Sequence, residues 1–314
     1  MKTILITDTH YGTKQNSITW LNSQSRFIYQ QLIPYIKEQK EPIRLIHLGD
    51  VFDSRSTIST IVADRVVHMF RDISHVVDEF IIIGGNHDYY SPTNDAVDTI
   101  SLLLGHLNIK IVTKDIVIDG ENAYVPWYQW LEHREKLQQL IDENGVENVF
   151  THADIVNEPV NINCKHIYSG HIHIPFHKDG LHNLGSTYAL NFADANQPRG
   201  FYVISDNRLE FIENHKSIKF HRLYNEDIFT IQDMGGNDYI ELYISQNNMA
   251  LDIYVKKINF ITRTWKNVWI IPQIEAQGIV DETVFEQYDI ENITRNKIPK
   301  ELQNKFEMVL NNLE

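Results

Sequence analysis

Short apolar runs that give out into polar clusters recur along the first two thirds of the chain. Ile4 to Thr7, Ile43 to Leu48, Phe80 to Ile83, Asn148 to Thr151 and His166 to Ser169 are rich in Ile, Val, Leu, Phe or Tyr and read as buried strands. Between them, Ser25 to Lys37, Thr60 to Ile73, Asn94 to Leu104 and Trp130 to Asn144 carry apolar residues at helical spacing. Alternating strands and helices predict an α/β core. In such sheets ligands bind at the carboxyl ends of strands, which is where the polar clusters fall. Lys178-Asp179-Gly180 is a hairpin signal, and Leu181 to Gly185 with Phe201 to Ser205 predict a second sheet of more antiparallel character.

The pattern changes near Asn225, which divides the chain into a main domain over 1–224, a smaller α+β cap over 225–272 and a C-terminal tail over 273–314. In the cap, Tyr239 to Ser245 reads as a strand, Met249 to Ile261 as an amphipathic helix and Trp265 to Ile271 as another strand, closed by Pro272. The tail holds nine acidic and four basic residues and ends in a predicted helix with Leu302, Phe306, Val309 and Leu313 on one face. That stripe must bury, either against the parent domain or in a partner's groove.

The polar clusters are Asp8-Thr9-His10, Gly49-Asp50, Gly84-Gly85-Asn86-His87-Asp88, His152 and Gly170-His171-Ile172-His173. Residues two apart on an extended backbone project to one side, so Asp8 with His10, and His171 with His173, could each address one metal centre. Imidazole, carboxylate and amide donors suit manganese, iron or zinc better than an all-oxygen magnesium site. Asp50 has two carboxylate oxygens and follows a glycine, which makes it the natural bridge between two ions. Asn86 adds a neutral oxygen. His87 is left for substrate, as an acid or hydrogen-bond donor, with Asp88 placed either to orient it or to raise its pKa. A histidine beside glycine is often structural; five clusters in order, each at a strand end, favour the metal reading.

Composition constrains this picture without changing it. The chain has 314 residues, 42% of them hydrophobic and 22% charged, as expected of a soluble globular protein. No signal-like or membrane-spanning apolar run is visible, and the one cysteine, Cys164, excludes an intrachain disulfide. A cytoplasmic protein is expected. The formal charge of −14 argues weakly against a phosphate substrate, because surface charges are screened beyond about 8 Å and two divalent ions would outweigh Asp8 and Asp50 locally. Lys216, Lys219, His221 and Arg222 form a basic stretch that reads either as a DNA-backbone contact or as a solvated face. His47 reads as a core residue or a support behind the ligands rather than a ligand, Arg55 as a phosphate contact or an ion-pair partner, and His177 and His182 as solvent-facing.

Taken together, Asp8-Thr9-His10, Gly49-Asp50-Val51-Phe52-Asp53, Gly85-Asn86-His87-Asp88, His152 and Gly170-His171-Ile172-His173 resemble the calcineurin-like metallophosphoesterases over roughly residues 1–205. Within that superfamily Asn183-Leu184-Gly185-Ser186-Thr187, Phe192, Asp194 and Pro198-Arg199-Gly200-Phe201 are similar to the SbcD-type DNA nucleases of the meiotic recombination branch. The resemblance implies a four-layer α/β sandwich with a small α+β cap and a helical tail. It implies two divalent ions, manganese first and magnesium, iron or zinc otherwise. One ion would be held by Asp8, His10, Asp50 and His173, the other by Asp50, Asn86, His152 and His171, with His87 catalytic. It further implies exonuclease and hairpin endonuclease action on DNA in recombination, repair or replication, an SbcC-type ATPase partner, and a bacterial or phage-infected host cytoplasm. Separately, the apolar helices expected over Thr60 to Ile73 and Asn94 to Leu104 read either as a homodimer contact across a two-fold axis or as core packing. A small-molecule phosphodiesterase, a protein phosphatase and an inactive scaffold are the other readings of the same fold. Some relatives carry histidine in place of Asp53, and Tyr11 replaces a commoner leucine.

Overall fold

The computed structural model describes residues 1–91, 94–158, 160–206, 208–224, 234–245 and 267–273. The expected helix from Met249 to Ile261 and the tail beyond Gln273 lie outside these residues. Two six-stranded sheets form the centre of the fold. The first runs in the order β14 (Arg208–Glu213), β13 (Gly200–Ser205), β1 (Lys2–Ile6), β2 (Ile43–His47), β3 (Glu79–Ile83) and β6 (Lys110–Val112). Strands β1, β2, β3 and β6 are parallel, whereas β13 and β14 add antiparallel. The second runs β11 (Phe176–Lys178), β12 (Leu181–Asn183), β10 (His166–Ser169), β9 (Asn148–Thr151), β8 (Asn122–Val125) and β7 (Val117–Asp119), with antiparallel pairing at its two margins.

Leu5, Ile46, Ile81 and Ile83 of the first sheet pack against Tyr124, Phe150 and Tyr168 of the second, closing a buried layer between them. The outer face of the first sheet takes helix α1, which runs Ile18–Phe27, then a π-helical turn Ile28–Leu32, then Ile33–Glu38; it also takes α2 (Thr60–Ser74) and α3 (Thr99–Leu104). Pro34 donates no backbone hydrogen bond and crowds the carbonyl four residues back, which accounts for the π turn just ahead of it. Helices α4 (Trp127–Glu132) and α5 (Arg134–Asn144) cover the second sheet through Trp130, Leu137 and Ile141. The result is a four-layer α/β/β/α sandwich, as expected from the resemblance.

Several expectations need correction. The stretch from Asn94 is not one helix: β5 (Asn94–Asp98) pairs with β4 (Tyr89–Ser91), and α3 begins only where the Asp98 side chain accepts from the Ser101 amide at 2.6 Å. A capping carboxylate there outweighs the apolar spacing. The helix expected from Trp130 to Asn144 breaks at His133, whose φ of −134° and ψ of 39° are not helical. Leu181–Asn183 and Gly200–Ser205 are not sheet partners, since β12 sits in the second sheet and β13 in the first. Pro272 does not end its strand; a third sheet of β15 (Phe220–Tyr224), β16 (Tyr239–Ser245) and β17 (Val268–Gln273) is parallel throughout and runs past it. This sheet meets the main body where Trp20 donates to the Tyr239 hydroxyl at 3.2 Å.

The segment that leads from β12 of the second sheet to β13 of the first is fixed by a buried ion pair. Arg199 Nη2 donates to Asp194 Oδ1 at 2.7 Å, while Asp194 Oδ2 accepts the amides of Leu190 and Asn191. Asp194→Ala would leave Arg199 buried beside no countercharge. The expected cost is about 3–5 kcal/mol of unfolding free energy, read by urea denaturation, and a loss below about 1 kcal/mol would show the pair to be dispensable.

Candidate metal centre

Each cluster is carried by the loop at the carboxyl end of a strand, and hydrogen bonds zip those loops to one another. The Asp8 amide donates to the Gly49 carbonyl at 3.1 Å, His10 to Asp50 at 3.1 Å and Tyr11 to Val51 at 2.8 Å, so the pairing of β1 with β2 continues beyond the strands. The backbone there is not extended. Asp8, His10, Asp50 and His171 have φ of 50°, 42°, 52° and 74°, a region non-glycine residues seldom adopt and which gathers at functional sites. The same-side argument from two-residue spacing therefore does not hold: Asp8 and His10 do converge, but His171 and His173 part to opposite ends of the site. Glycine makes the approach possible, because a Cβ on Gly170 would collide with Thr7 Oγ1 and lie 2.6 Å from Asp8 Oδ2.

Two pockets of donor atoms result, with Asp50 between them. In the first, His10 Nε2 lies 3.8 Å from Asp8 Oδ1, 3.7 Å from Asp50 Oδ2 and 3.3 Å from His173 Nε2. In the second, His152 Nε2 lies 3.3 Å from Asp50 Oδ1 and 3.2 Å from Asn86 Oδ1, which is 2.8 Å from His171 Nδ1. Donors bonded to one ion at about 2.0–2.2 Å sit about 3–4 Å apart, so most of these spacings suit ligation. Asp8 Oδ1, which faces the pocket, is buried with no hydrogen-bond partner, as an atom kept for another ligand would be. The donors present fit two divalent ions.

Surrounding groups fix the donors. Thr7 Oγ1 at 2.6 Å and the His171 amide at 3.1 Å both bind Asp8 Oδ2, leaving Oδ1 to face the pocket. The His152 Nδ1–H donates to the Leu48 carbonyl at 2.7 Å, so Nε2 is the atom turned to Asp50. His87 donates its amide to Asp50 Oδ1 at 2.8 Å and its Nδ1–H to the Asp53 carbonyl at 2.6 Å, which leaves Nε2 for another contact. Its ring stands edge-on to His10, 5.0 Å between centroids, and its donor atom falls within 4.8 Å of those of His10 and Asp50, at the margin of the first pocket.

Asp88 was expected to orient His87, and it does something else. It is fully buried and accepts the amides of Val51, Phe52 and Gly85, clamping the loops that carry Asp50 and Asn86. Burial, then the Asp50 charge, pushes its carboxyl up to about 7 against the pull of those amides. His47 is buried as expected, 2.9 Å from Thr9 Oγ1, and burial pushes it down to about 3. The basic stretch is largely spoken for by ion pairs of Lys219 with Glu213, His221 with Asp238 and Arg222 with Glu241. His177 and His182 do not simply face solvent; they face each other.

The centre opens into a cleft of about 420 Å³ lined by His10, Asp53, Asn86, His87 and His173, and also by Thr13, Lys14, Leu190 and Asn191. Sequence reasoning missed the last four. The polar run Gly12 to Asn16, directly behind the first cluster, was the available sign of Lys14. Leu190 and Asn191 reach the rim only through the Asp194 bonds, which no local pattern announces.

The electrostatics of the metal-free chain point the same way. Burial alone would raise Asp8, but His152, His10 and His173 outweigh it and hold the carboxyl at about 2. Asp50 is lowered further, again against burial and chiefly by His152. Reciprocally, burial would lower His152, yet Asp50 and Asp8 raise it to about 9, and His10 is raised by Asp8 and Asp50. Both imidazoles must be neutral to ligate, so ions and protons compete. Metal uptake at pH 7 is expected to release about one to two protons per chain, with affinity climbing as pH rises towards 9. Calorimetry in two buffers of different ionisation enthalpy measures this, and uptake without proton release would contradict it.

Among the described residues no helix is long and apolar enough to cross a membrane. The chain is similar to exonuclease subunit 1 of Enterobacteria phage T4, being 25% identical over 238 residues, which is 68% of this chain and 68% of that protein. Residues 1–175, more than half of the chain, match the model of the calcineurin-like phosphoesterases, a family of metal-dependent hydrolases. With the sandwich and its paired histidine and carboxylate pockets in the expected places, the chain belongs to the calcineurin-like phosphoesterase family.

Proposed function

We propose that this chain is a DNA nuclease subunit that hydrolyses phosphodiester bonds with two divalent ions, manganese foremost. The observation that carries the reading is the pair of donor pockets sharing one carboxylate, with Asp50 Oδ2 turned to His10 and Oδ1 to His152. Likeness to a phage exonuclease subunit along two thirds of the chain supports DNA as the substrate. Asp8, His10, Asp50 and His173 would hold one ion, and Asp50, Asn86, His152 and His171 the other. When bound, such ions supply Lewis-acid polarisation of the phosphodiester and lower the pKa of a water that attacks it.

The chain's own residues do the rest. His87, with Nδ1–H fixed on the Asp53 carbonyl, turns Nε2 to the substrate, where the protonated ring donates to a phosphoryl or leaving oxygen. Asp88 keeps the Asp50 and Asn86 loops in register and acts as a positioning residue. Lys14 at the cleft rim offers a positive charge to the phosphate backbone. In this reading residues 225–272 form a cap that contacts DNA, and the acidic tail over 273–314 binds an SbcC-type ATPase, the subunit acting as a homodimer.

Linear duplex DNA, hairpin DNA and a chromogenic phosphodiester, each with manganese and with magnesium, separate the possibilities. His87→Gln is expected to lower DNA cleavage by about 10²–10⁴ while bound manganese is unchanged. Phosphodiester turnover with no DNA cleavage under any condition would reject the nuclease reading. Removal of residues from Asp281 onward should abolish association with the ATPase and spare manganese-dependent cleavage; association that survives the truncation would reject the tail's role.

A further inference from the structure

We infer that His177 and His182 form a second site for a borderline divalent transition ion, outside the hydrolytic centre. The two residues are directly paired across the β11–β12 hairpin, whose turn at Asp179-Gly180 has φ of 49° and 81°. Their Nδ1 atoms face each other at 3.4 Å. That is the spacing of two imidazole nitrogens about 2.0–2.1 Å from one tetrahedral ion, and it is long for a hydrogen bond. The chain supplies its own comparison, since His10 Nε2 and His173 Nε2 in the hydrolytic centre stand 3.3 Å apart.

The far sides of both rings have partners that leave the facing nitrogens available. His177 Nε2 lies 3.2 Å from the Tyr202 hydroxyl, and His182 Nε2 lies 3.4 Å from His166 Nδ1. With Nε2–H of His177 donating to the Tyr202 hydroxyl, its Nδ1 lone pair faces the gap and His182 Nδ1; the His182–His166 contact is as long as the facing pair and serves to seat the ring rather than to fix its tautomer. The Tyr202 hydroxyl then plays the part that carbonyls and carboxylates play behind metal-bound histidines, fixing tautomer and ring direction. His182 is further held by stacking on Tyr168 at 5.0 Å, with 15° between planes. Burial, then His177 and His166, push His182 down to about 4, and burial lowers His177. Both shifts favour the neutral imidazole that ligates a metal.

The site offers two nitrogen donors and leaves the remaining positions to water. Imidazole donors favour Cu²⁺, Ni²⁺ and Zn²⁺ over manganese, copper most strongly. An ion there would tie the margin of the second sheet, through His177 and Tyr202, to β13 of the first.

The test counts copper bound by the tag-free, manganese-loaded chain after desalting in buffer containing glycine as a competing chelator. His177→Gln and His182→Gln are each expected to retain one copper equivalent fewer than wild type, with Tm and manganese-dependent phosphodiester hydrolysis before copper addition unchanged. His166→Gln, which touches only the far nitrogen of His182, should keep the equivalent and weaken it about 10-fold or more. Equal copper content in wild type and the folded variants overturns the site. Should His182→Gln fail to fold, the exposed His177→Gln decides the matter alone.

Discussion

Burying Asp8 and Asp50 side by side is unfavourable unless positive charge is buried with them, and the surrounding structure meets that condition. The loops after β1, β2, β3, β9 and β10 each deliver a carboxylate or an imidazole to one place. The imidazoles serve twice. Protonated, His10 and His152 neutralise the carboxylates of the metal-free chain; neutral, they are the groups that would hold divalent ions in the proposed reading. The left-handed conformations of Asp8, His10, Asp50 and His171 follow from the same demand, since an extended backbone would spread these side chains along the sheet edge. Four strained residues cost several kcal/mol in all, at roughly 1–3 each. The continued pairing of the β1 and β2 loops and the three amides on Asp88 offset that cost.

Much of this was legible in the sequence, and the misses have physical causes. Asn148–Thr151 and His166–Ser169 form strands with the very limits their apolar runs suggest, because a buried parallel strand is apolar along its length. Asn94 to Leu104 was misread because apolar spacing cannot reveal that Asp98 spends its carboxylate on a helix start. At the site, the types and order of residues pointed to metals, whereas the two-residue spacing misled about grouping. That argument assumed extended backbone, and the loops are not extended. Asp88 was misassigned for a related reason: adjacency to His87 in sequence says nothing about direction, and its carboxylate turns inward to backbone amides.

The acidity of the chain takes on a definite meaning beside this geometry. At −14 overall, the surface does not attract a polyanion at long range, and Lys219 and Arg222 of the expected basic stretch are paired with Glu213 and Glu241. On the proposed function, attraction for phosphate arises inside the cleft, from the divalent ions held there and from Lys14 at the rim. Phosphate recognition and metal loading become one property. An acidic exterior with a cationic centre disfavours unspecific attachment along a duplex and leaves engagement to a phosphodiester that can enter the cleft.

Asp53 shows why a departure from relatives need not damage the site. The atom that orients His87 is the Asp53 backbone carbonyl, at 2.6 Å from Nδ1, and any residue at this position supplies a carbonyl. What the side chain changes is the ground beside His10, because Asp53 Oδ1 stands 3.6 Å from His10 Nδ1 and the carboxylate helps to raise that imidazole. A histidine at this position would instead place a second imidazole against His10 and add a proton donor to the cleft wall. The aspartate therefore exchanges a possible donor to substrate for firmer electrostatic support of a ligand, while the direction of His87 is the same in both cases.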